Sequence, residues 1–305
     1  MRQLSVIICA HNPRADHLER VLEALRGQTL AKEEWELVVI DNASATSLAE
    51  RYALAWHPDA RHAREDNLGL TWARLRGISE STAGILVFVD DDNVLDNEYL
   101  RNVLEISSSH PRLGAWSGNV ELEFETPPAQ WTKKYWPFLA GRRIEADAVS
   151  FNSELAEPLP VGAGLCVRRV VAQRYASEVK ASEWRQRLDR KGSRLVSAGD
   201  VDLALTACDL GYSRGVFHCL RLRHLIPPER LTEQYFLRLV QSIQFSSYVL
   251  QMRRNPKQAP PAITWWWWVK FICDAATKFG RQRRFHLANK RAQREAHALY
   301  DEGRH

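Results

Sequence analysis

Residues 85–93 read Ile-Leu-Val-Phe-Val-Asp-Asp-Asp-Asn: five apolar side chains followed, without a spacer, by three carboxylates. A run this short and β-branched reads as a buried strand rather than a helix. Each acid raises the cost of ionising the next. Three of them at the rim of a hydrophobic core therefore call for a positive partner. Oxygen ligands held rigidly favour a hard cation, Mg²⁺ or Mn²⁺, which keeps waters and is completed by a substrate's phosphates. The stretch predicts an acidic sheet edge that receives a metal diphosphate.

The flanking pattern places that edge in an α/β fold. Leu4–Cys9 is a β-branched run, His-Asn-Pro is a turn, and Leu18, Val21, Leu22 and Leu25 recur at helical spacing. Glu36–Ile40 repeats the strand, Asp41–Ser44 the loop, and Leu70 to about Thr82 the helix. Strands alternating with helices predict a parallel, doubly wound, Rossmann-like sheet with helices on both faces. Ligands of such sheets bind beyond the carboxyl ends of the strands, where Asn12, Asp41 and Asp90–Asp92 all fall. From Gly114 the pattern loosens. Ala115–Phe124 reads as a strand, Thr126–Gly141 as irregular and Pro160–Val167 as extended. Asp200–Leu210 reads as a helix ended by Gly211, and Val216–Ile226 as a strand closed by Pro227-Pro228. The expected organisation is a catalytic domain over 1–228, with a nucleotide-binding half (1–113) and an acceptor-binding half (114–228). A helical, Trp-rich and basic extension follows over 229–305.

Residues 270–305 hold nine Lys/Arg against four Asp/Glu, an excess equal to the whole net charge of +5. Basic and aromatic residues thus gather only in the tail, which argues against nucleic acid as a partner. The five cysteines are scattered and form no C-x-x-C pair, so neither a zinc site nor a disulfide framework is expected, and a cytoplasmic setting fits. No leader-like segment and no stretch of about 18 apolar residues is present. The segment Thr-Trp-Trp-Trp-Trp-Val-Lys-Phe-Ile-Cys at 264–273 is too short to span a bilayer, and with the basic residues up to 284 it suits the inner face of a membrane. Successive helical residues turn by about 100°, so four indoles cannot share one face. The competing use is a helix docked on the catalytic domain or on a second copy in a homodimer.

Four segments in order resemble the GT-A glycosyltransferases of family 2, over roughly residues 3–228. Ser5–Asn12 resembles the opening strand and its Asn turn, and Val38–Ser44 the second strand. Asn67-Leu-Gly-Leu-Thr-Trp-Ala-Arg-Leu-Arg-Gly77 is similar to the N-x-G-x-x-x-A-R-N-x-G segment, with Leu75 where Asn is usual, and Asp90-Asp-Asp92 to the D-x-D element. The resemblance implies an inverting transferase that moves a sugar from a nucleoside-diphosphate donor to a hydroxyl of a glycan or lipid-linked acceptor, in surface polysaccharide or glycoconjugate synthesis. It implies that Cys9, Ala10, His11 and Asn12 wall the nucleotide, and that Asp41 binds the base. Asn67, Gly69 and Arg74 would approach the nucleotide, Asp90 and Asp91 the ribose, and Asp92 the metal. His224 would complete the metal shell, with Mn²⁺ suited better than Mg²⁺ to an imidazole.

Ala198-Gly-Asp-Val-Asp-Leu203 resembles the G-E-D-x-D-L element, whose Asp after Glu is the base, so Asp200 is the expected catalytic residue, with Asp202 as second candidate on the acceptor side. Gly199 stands where that element has Glu. Gly162 and Gly164 resemble the small-residue segment beneath the acceptor, where glycine lets backbone approach a sugar. Each residue has a plainer use: an ion pair on a helix face for Arg74, a helix cap for Asp200, a tight turn for the glycines, a structural role for His224. The rival functions are a nucleotidyltransferase and a catalytically inactive sugar-nucleotide-binding protein.

Overall fold

A computed structural model of the chain describes residues 2–192, 194–256 and 263–302. The strands are β1 (Leu4–Ala10), β2 (Trp35–Asn42), β3 (Ala60–Glu65), β4 (Ile85–Asp90), β5 (Asn93–Leu95), β6 (Leu113–Phe124), β7 (Ala148–Ser150), β8 (Cys166–Arg168) and β9 (Ser213–Ile226). The helices are α1 (Ala15–Arg26), α2 (Leu48–Arg51), α3 (Leu70–Glu80), α4 (Tyr99–Ser109), α5 (Arg169–Lys180), α6 (Glu183–Gln186), α7 (Gly199–Asp209), α8 (Glu233–Arg254), α9 (Trp265–Ala276) and α10 (Gly280–Glu302). One sheet runs β3-β2-β1-β4-β8-β6-β9-β5, with β7 added on β9.

Its first four strands are parallel, and their register sets the site. Cys9 lies opposite Ile40 and Asp90, and Ala10 opposite Asp41, so β1, β2 and β4 end side by side. Period-two alternation sends side chains of β1 to two cores. Val6 and Ile8 join Leu18, Val21 and Leu25 of α1 on one face, while Ile7 joins Ala73 and Ile78 of α3 on the other. Beyond β4 the sheet departs from the all-parallel expectation. β8 runs antiparallel to both β4 and β6, and β6 runs parallel to β9.

The C-terminal helices share cores with the rest. Phe236 and Leu239 of α8 and Phe285 of α10 pack with Tyr135, Leu139 and Ile226. Val249, Leu250 and Met252 pack with Leu188, Ala198 and Leu205. Thr232 caps α8, its hydroxyl accepting the Tyr235 N–H at 3.2 Å, and so fixes where the chain leaves β9. No helix among the described residues is long and apolar enough to cross a membrane.

Candidate active site

A cleft of about 420 Å³ opens at the carboxyl ends of β1 and β4. Cys9, Ala10, His11 and Asn12 line it together with Asp90–Asp92, beside which stand His224 and Arg230, and Gly162 and Asp200 complete this lining. Burial, then the charge of Asp92 and Asp90, pushes the Asp91 carboxyl up to about 8. Asp90 is raised likewise, by burial and by Asp92. Asp92 goes the other way: burial would raise it, but the His224 ring and the Arg230 guanidinium outweigh burial and hold it well below the usual carboxylate range. Of the three acids, Asp92 is thus the one held firmly ionised.

Strand pairing explains this. β5 continues from the acids and pairs with β9 so that Asn93 lies opposite His224. His224 Nε2 then stands 3.3 Å from Asp92 Oδ2. His224 Nδ1 is 2.9 Å from the Leu139 carbonyl oxygen, which can only accept, so Nδ1 carries a proton. Nε2 is then the ring nitrogen free to accept, and Arg230 Nη1 stands 3.2 Å from it. A carboxylate oxygen and an imidazole nitrogen whose far side is anchored on a carbonyl fit a divalent cation that takes its remaining ligands from phosphates and water. Three ligand side chains converge, among the described residues, only at Asp16, His17 and Glu125. There Arg14 pairs with both acids, as Arg230 pairs with Asp92.

Across the cleft, Asp200 sits in the first turn of α7. Its Oδ2 accepts the Gly162 N–H at 2.6 Å and its Oδ1 the Val201 N–H at 2.9 Å, which fixes the carboxylate plane. A Cβ at Gly162 would lie 2.9 Å from Asp200 Oδ2 and 3.1 Å from Arg74 Nη2, so glycine is what lets both reach this corner. Arg74 is buried and pairs with Asp189 at 2.9 Å. Burial would lower its pKa, but Asp189, Asp200 and Asp90 outweigh burial and raise it. Thr71 Oγ1 donates to the other Asp189 oxygen at 3.1 Å. A Cβ at Gly199 would overlap this same carboxylate. Asp189 thus puts a carboxylate against the position where the G-E-D-x-D-L element carries its Glu.

The remaining sequence candidates fall as follows. Asp41 is buried at the end of β2, outside the cleft lining, and accepts from Ser44 N (3.0 Å), Leu48 N (3.2 Å) and Arg64 Nη1 (3.0 Å). Burial would raise its pKa, but the bonds from Ser44 and Leu48 and the Arg64 charge lower it. Burial lifts the Cys9 thiol to about 12, leaving it a neutral wall. Asn12 adopts φ 46°, with Oδ1 accepting Ala45 N–H at 2.9 Å. Gly69 has φ 138°, a conformation open to glycine, and starts α3 within the cleft. Asn67 lies outside the lining and holds the Glu65 carboxylate at 2.8 Å.

Two acceptor-side candidates lie away from the cleft lining. Asp202 is fully buried and bonded to Arg254 at 2.6 Å, because residues two apart on a helix point about 200° from each other. Gly164 makes a φ 69° turn beneath Tyr99, whose hydroxyl donates to the Gly164 carbonyl at 2.7 Å, and it does not line the cleft. Sequence reasoning missed Asn42, Asp189, Arg190 and Arg230. Asn42 Oδ1 accepts the Gly69 N–H at 2.8 Å and ties two loops of the cleft. It sits in the segment already read as the second strand and its loop, whereas Asp189 and Arg190 come from a loop and Arg230 from a short 3-10 helix, neither with a local signature.

The glycosyl transferase family 2 profile matches residues 5–156. Glycosyltransferase AglE of Haloferax volcanii is 26% identical over 220 residues, 70% of this chain and 64% of that protein, so the match spans under two thirds of the relative's length. A crystal structure of S. aureus TarS 1-349 in complex with UDP-GlcNAc aligns at TM-score 0.50 and 15% identity, covering 81% of this chain and 66% of that one, a likeness of fold. Another structure of TarS 1-349 gives 0.49 at 15% identity, over 81% and 65%. With the profile lying over β1 to β7 and the loops at the carboxyl ends of β1 and β4, the chain belongs to glycosyl transferase family 2.

Proposed function

We propose that the protein is an inverting glycosyltransferase that moves a sugar from a nucleoside-diphosphate donor to a hydroxyl of a glycan or lipid-linked acceptor, in the synthesis of surface polysaccharide or glycoconjugate. The observation that carries this reading is a single cleft in which Asp92 and His224 stand side by side and Asp200 is fixed by backbone N–H groups. Asp200 takes the proton of the acceptor hydroxyl as its oxygen bonds to the anomeric carbon. The bond from that carbon to the diphosphate breaks, and its electron pair leaves on the phosphate oxygen. One such displacement inverts the centre, turning an α-linked donor sugar into a β-linkage. Arg74, held by Asp189, keeps a fixed positive charge beside Asp200 and Asp90. Mn²⁺ or Mg²⁺ held by Asp92 and His224 would neutralise charge on the departing diphosphate.

The test is product analysis with a panel of nucleotide sugars, starting with UDP-GlcNAc, the compound present with TarS. Release of the nucleoside diphosphate with a β-linked product supports the reading. Release of pyrophosphate would mark a nucleotidyltransferase, and binding without turnover an inactive binder.

We propose also that residues 264–284 rest on an anionic membrane surface. Trp267 is buried, its Nε1 donating to Gln293 at 3.1 Å, while Trp265 (62%), Trp266 (64%), Ile272 (62%) and Phe279 (80%) are exposed beside Lys270 and Arg283. Large apolar groups in water beside cations suit a lipid interface. Replacing Trp265, Trp266 and Ile272 with Ser should abolish co-sedimentation with anionic vesicles. Unchanged sedimentation together with loss of a dimer would give this face to a second copy instead.

A further inference from the structure

A second groove, of about 1130 Å³, adjoins the cleft and shares Gly69 and Arg190 with it. We propose that this groove is the acceptor subsite and that its acceptor carries phosphate groups close to the reacting hydroxyl. The proposal deepens the donor-site reading above and rests on it.

Charge is the first support. Arg187, Arg190, Lys191 and Arg194 line the groove from the chain between α6 and α7, and Arg238 lines it from α8. Among the described residues, Lys191, Arg194 and Arg238 make no ion pair, Arg187 has only an exposed partner, Glu183, at 3.7 Å, and Arg190 turns its charge toward Asp90–Asp92 of the cleft. The acids of the groove do not balance them. Asp189 is taken by Arg74, and Glu295 accepts from Gln241 at 3.0 Å. Cations gathered from two separate elements repel one another unless an anion joins them, and the planar fork of arginine matches phosphate.

Position is the second. Asp189, in the groove wall, lies against Gly199, the residue before Asp200. Through the shared Gly69 and Arg190 the groove also adjoins the cleft that Asp200 lines, so a ligand running along it is led toward the proposed base. Trp72 and Phe245 supply apolar surface between the cations, which suits a sugar ring or an alkyl chain. Two sources share this chemistry: a polymer with phosphodiester links, and a lipid diphosphate.

The experiment compares the full chain with the triple variant Arg187→Gln, Arg194→Gln, Arg238→Gln, none of which lines the donor cleft. Binding is measured for UDP with Mn²⁺, for an oligomeric glycerol phosphodiester, for an isoprenyl diphosphate in neutral micelles, and for neutral chitotetraose. The proposal expects the variant to keep UDP–Mn²⁺ affinity and to lose at least tenfold in affinity for whichever anionic probe binds the wild type. That probe also names the source. It expects chitotetraose to bind far more weakly. Binding of neither anionic probe, equal affinity in the variant, or equal binding of chitotetraose would overturn it. Should the wild type bind an anionic probe, lose it in the variant and yet ignore UDP, the donor reading falls and the groove's preference for phosphate stands.

Discussion

Arg230 and Asp92 form an ion pair at 2.9 Å inside the cleft, and the same Arg230 nitrogen stands 3.2 Å from His224 Nε2. The guanidinium therefore donates to both atoms proposed as metal ligands. A divalent ion approaching them meets a cation already in contact with each. Arg230→Met should remove that competition and tighten Mn²⁺ binding in the absence of nucleotide by roughly tenfold, about 1.4 kcal/mol. Titration by Mn²⁺ electron paramagnetic resonance checks this. An affinity equal to wild type would mean that Arg230 does not compete for the site.

Asp200→Asn keeps the shape and, through its one amide oxygen, one of the two backbone hydrogen bonds, but cannot take a proton. Transfer should fall by about 10²–10⁴ in kcat, the usual worth of a general base, with donor affinity unchanged. Turnover within a few-fold of wild type would remove Asp200 from that role.

Asp189→Ala would leave Arg74 buried without its partner, at a cost of roughly 3–5 kcal/mol read by urea unfolding. Because a Cβ at Gly199 would overlap the Asp189 carboxylate, Gly199→Glu alone should also destabilise. Combined, Asp189→Ala and Gly199→Glu should recover part of both losses, each variant relieving the other. Additive losses in the double variant would show that the two positions do not share one carboxylate site.

These pairings mark where sequence reading stops. The parallel strands β1, β2 and β4 were legible because each is a short apolar run, and the residues ending them had to meet at one edge. β3 was not, since Ala-Arg-His-Ala-Arg-Glu has no apolar run and is held in place by backbone pairing to β2. The antiparallel turn of the sheet at β8 rests on a three-residue strand, too short to carry a period. Asp200 stood first and Asp202 second as candidates in sequence; helix geometry sends one to the cleft and the other to Arg254. Asp189, from a loop, and Arg230, from a short 3-10 helix, reach the site 115 and 138 residues away from their partners Arg74 and Asp92, a distance no local pattern encodes.

At the opposite end of the sheet, Glu36 accepts from Ser5 Oγ (2.6 Å), Thr82 Oγ1 (2.8 Å) and Arg61 (2.7 Å). Burial would raise its pKa, but these bonds outweigh burial and lower it from 4.5 to about 2. A carboxylate depressed in the folded state stabilises fully above its unfolded value and loses that contribution as pH falls through the folded one. Glu36 should thus supply up to roughly 3 kcal/mol at neutral pH, lost between about pH 4.5 and 2. Glu36→Gln should lower Tm at pH 7 and flatten the fall of Tm over that window. A parallel fall in both proteins would contradict the assignment.

The central claim is that the acid-lined cleft holds a metal together with a nucleoside diphosphate through Asp92. Calorimetric titration of UDP into wild type and Asp92→Ala, each with and without Mn²⁺, tests it most directly. The account predicts binding by the wild type that strengthens at least tenfold with Mn²⁺, and no Mn²⁺ effect in Asp92→Ala. The same Mn²⁺ enhancement in both proteins, or no binding by the wild type, would contradict it.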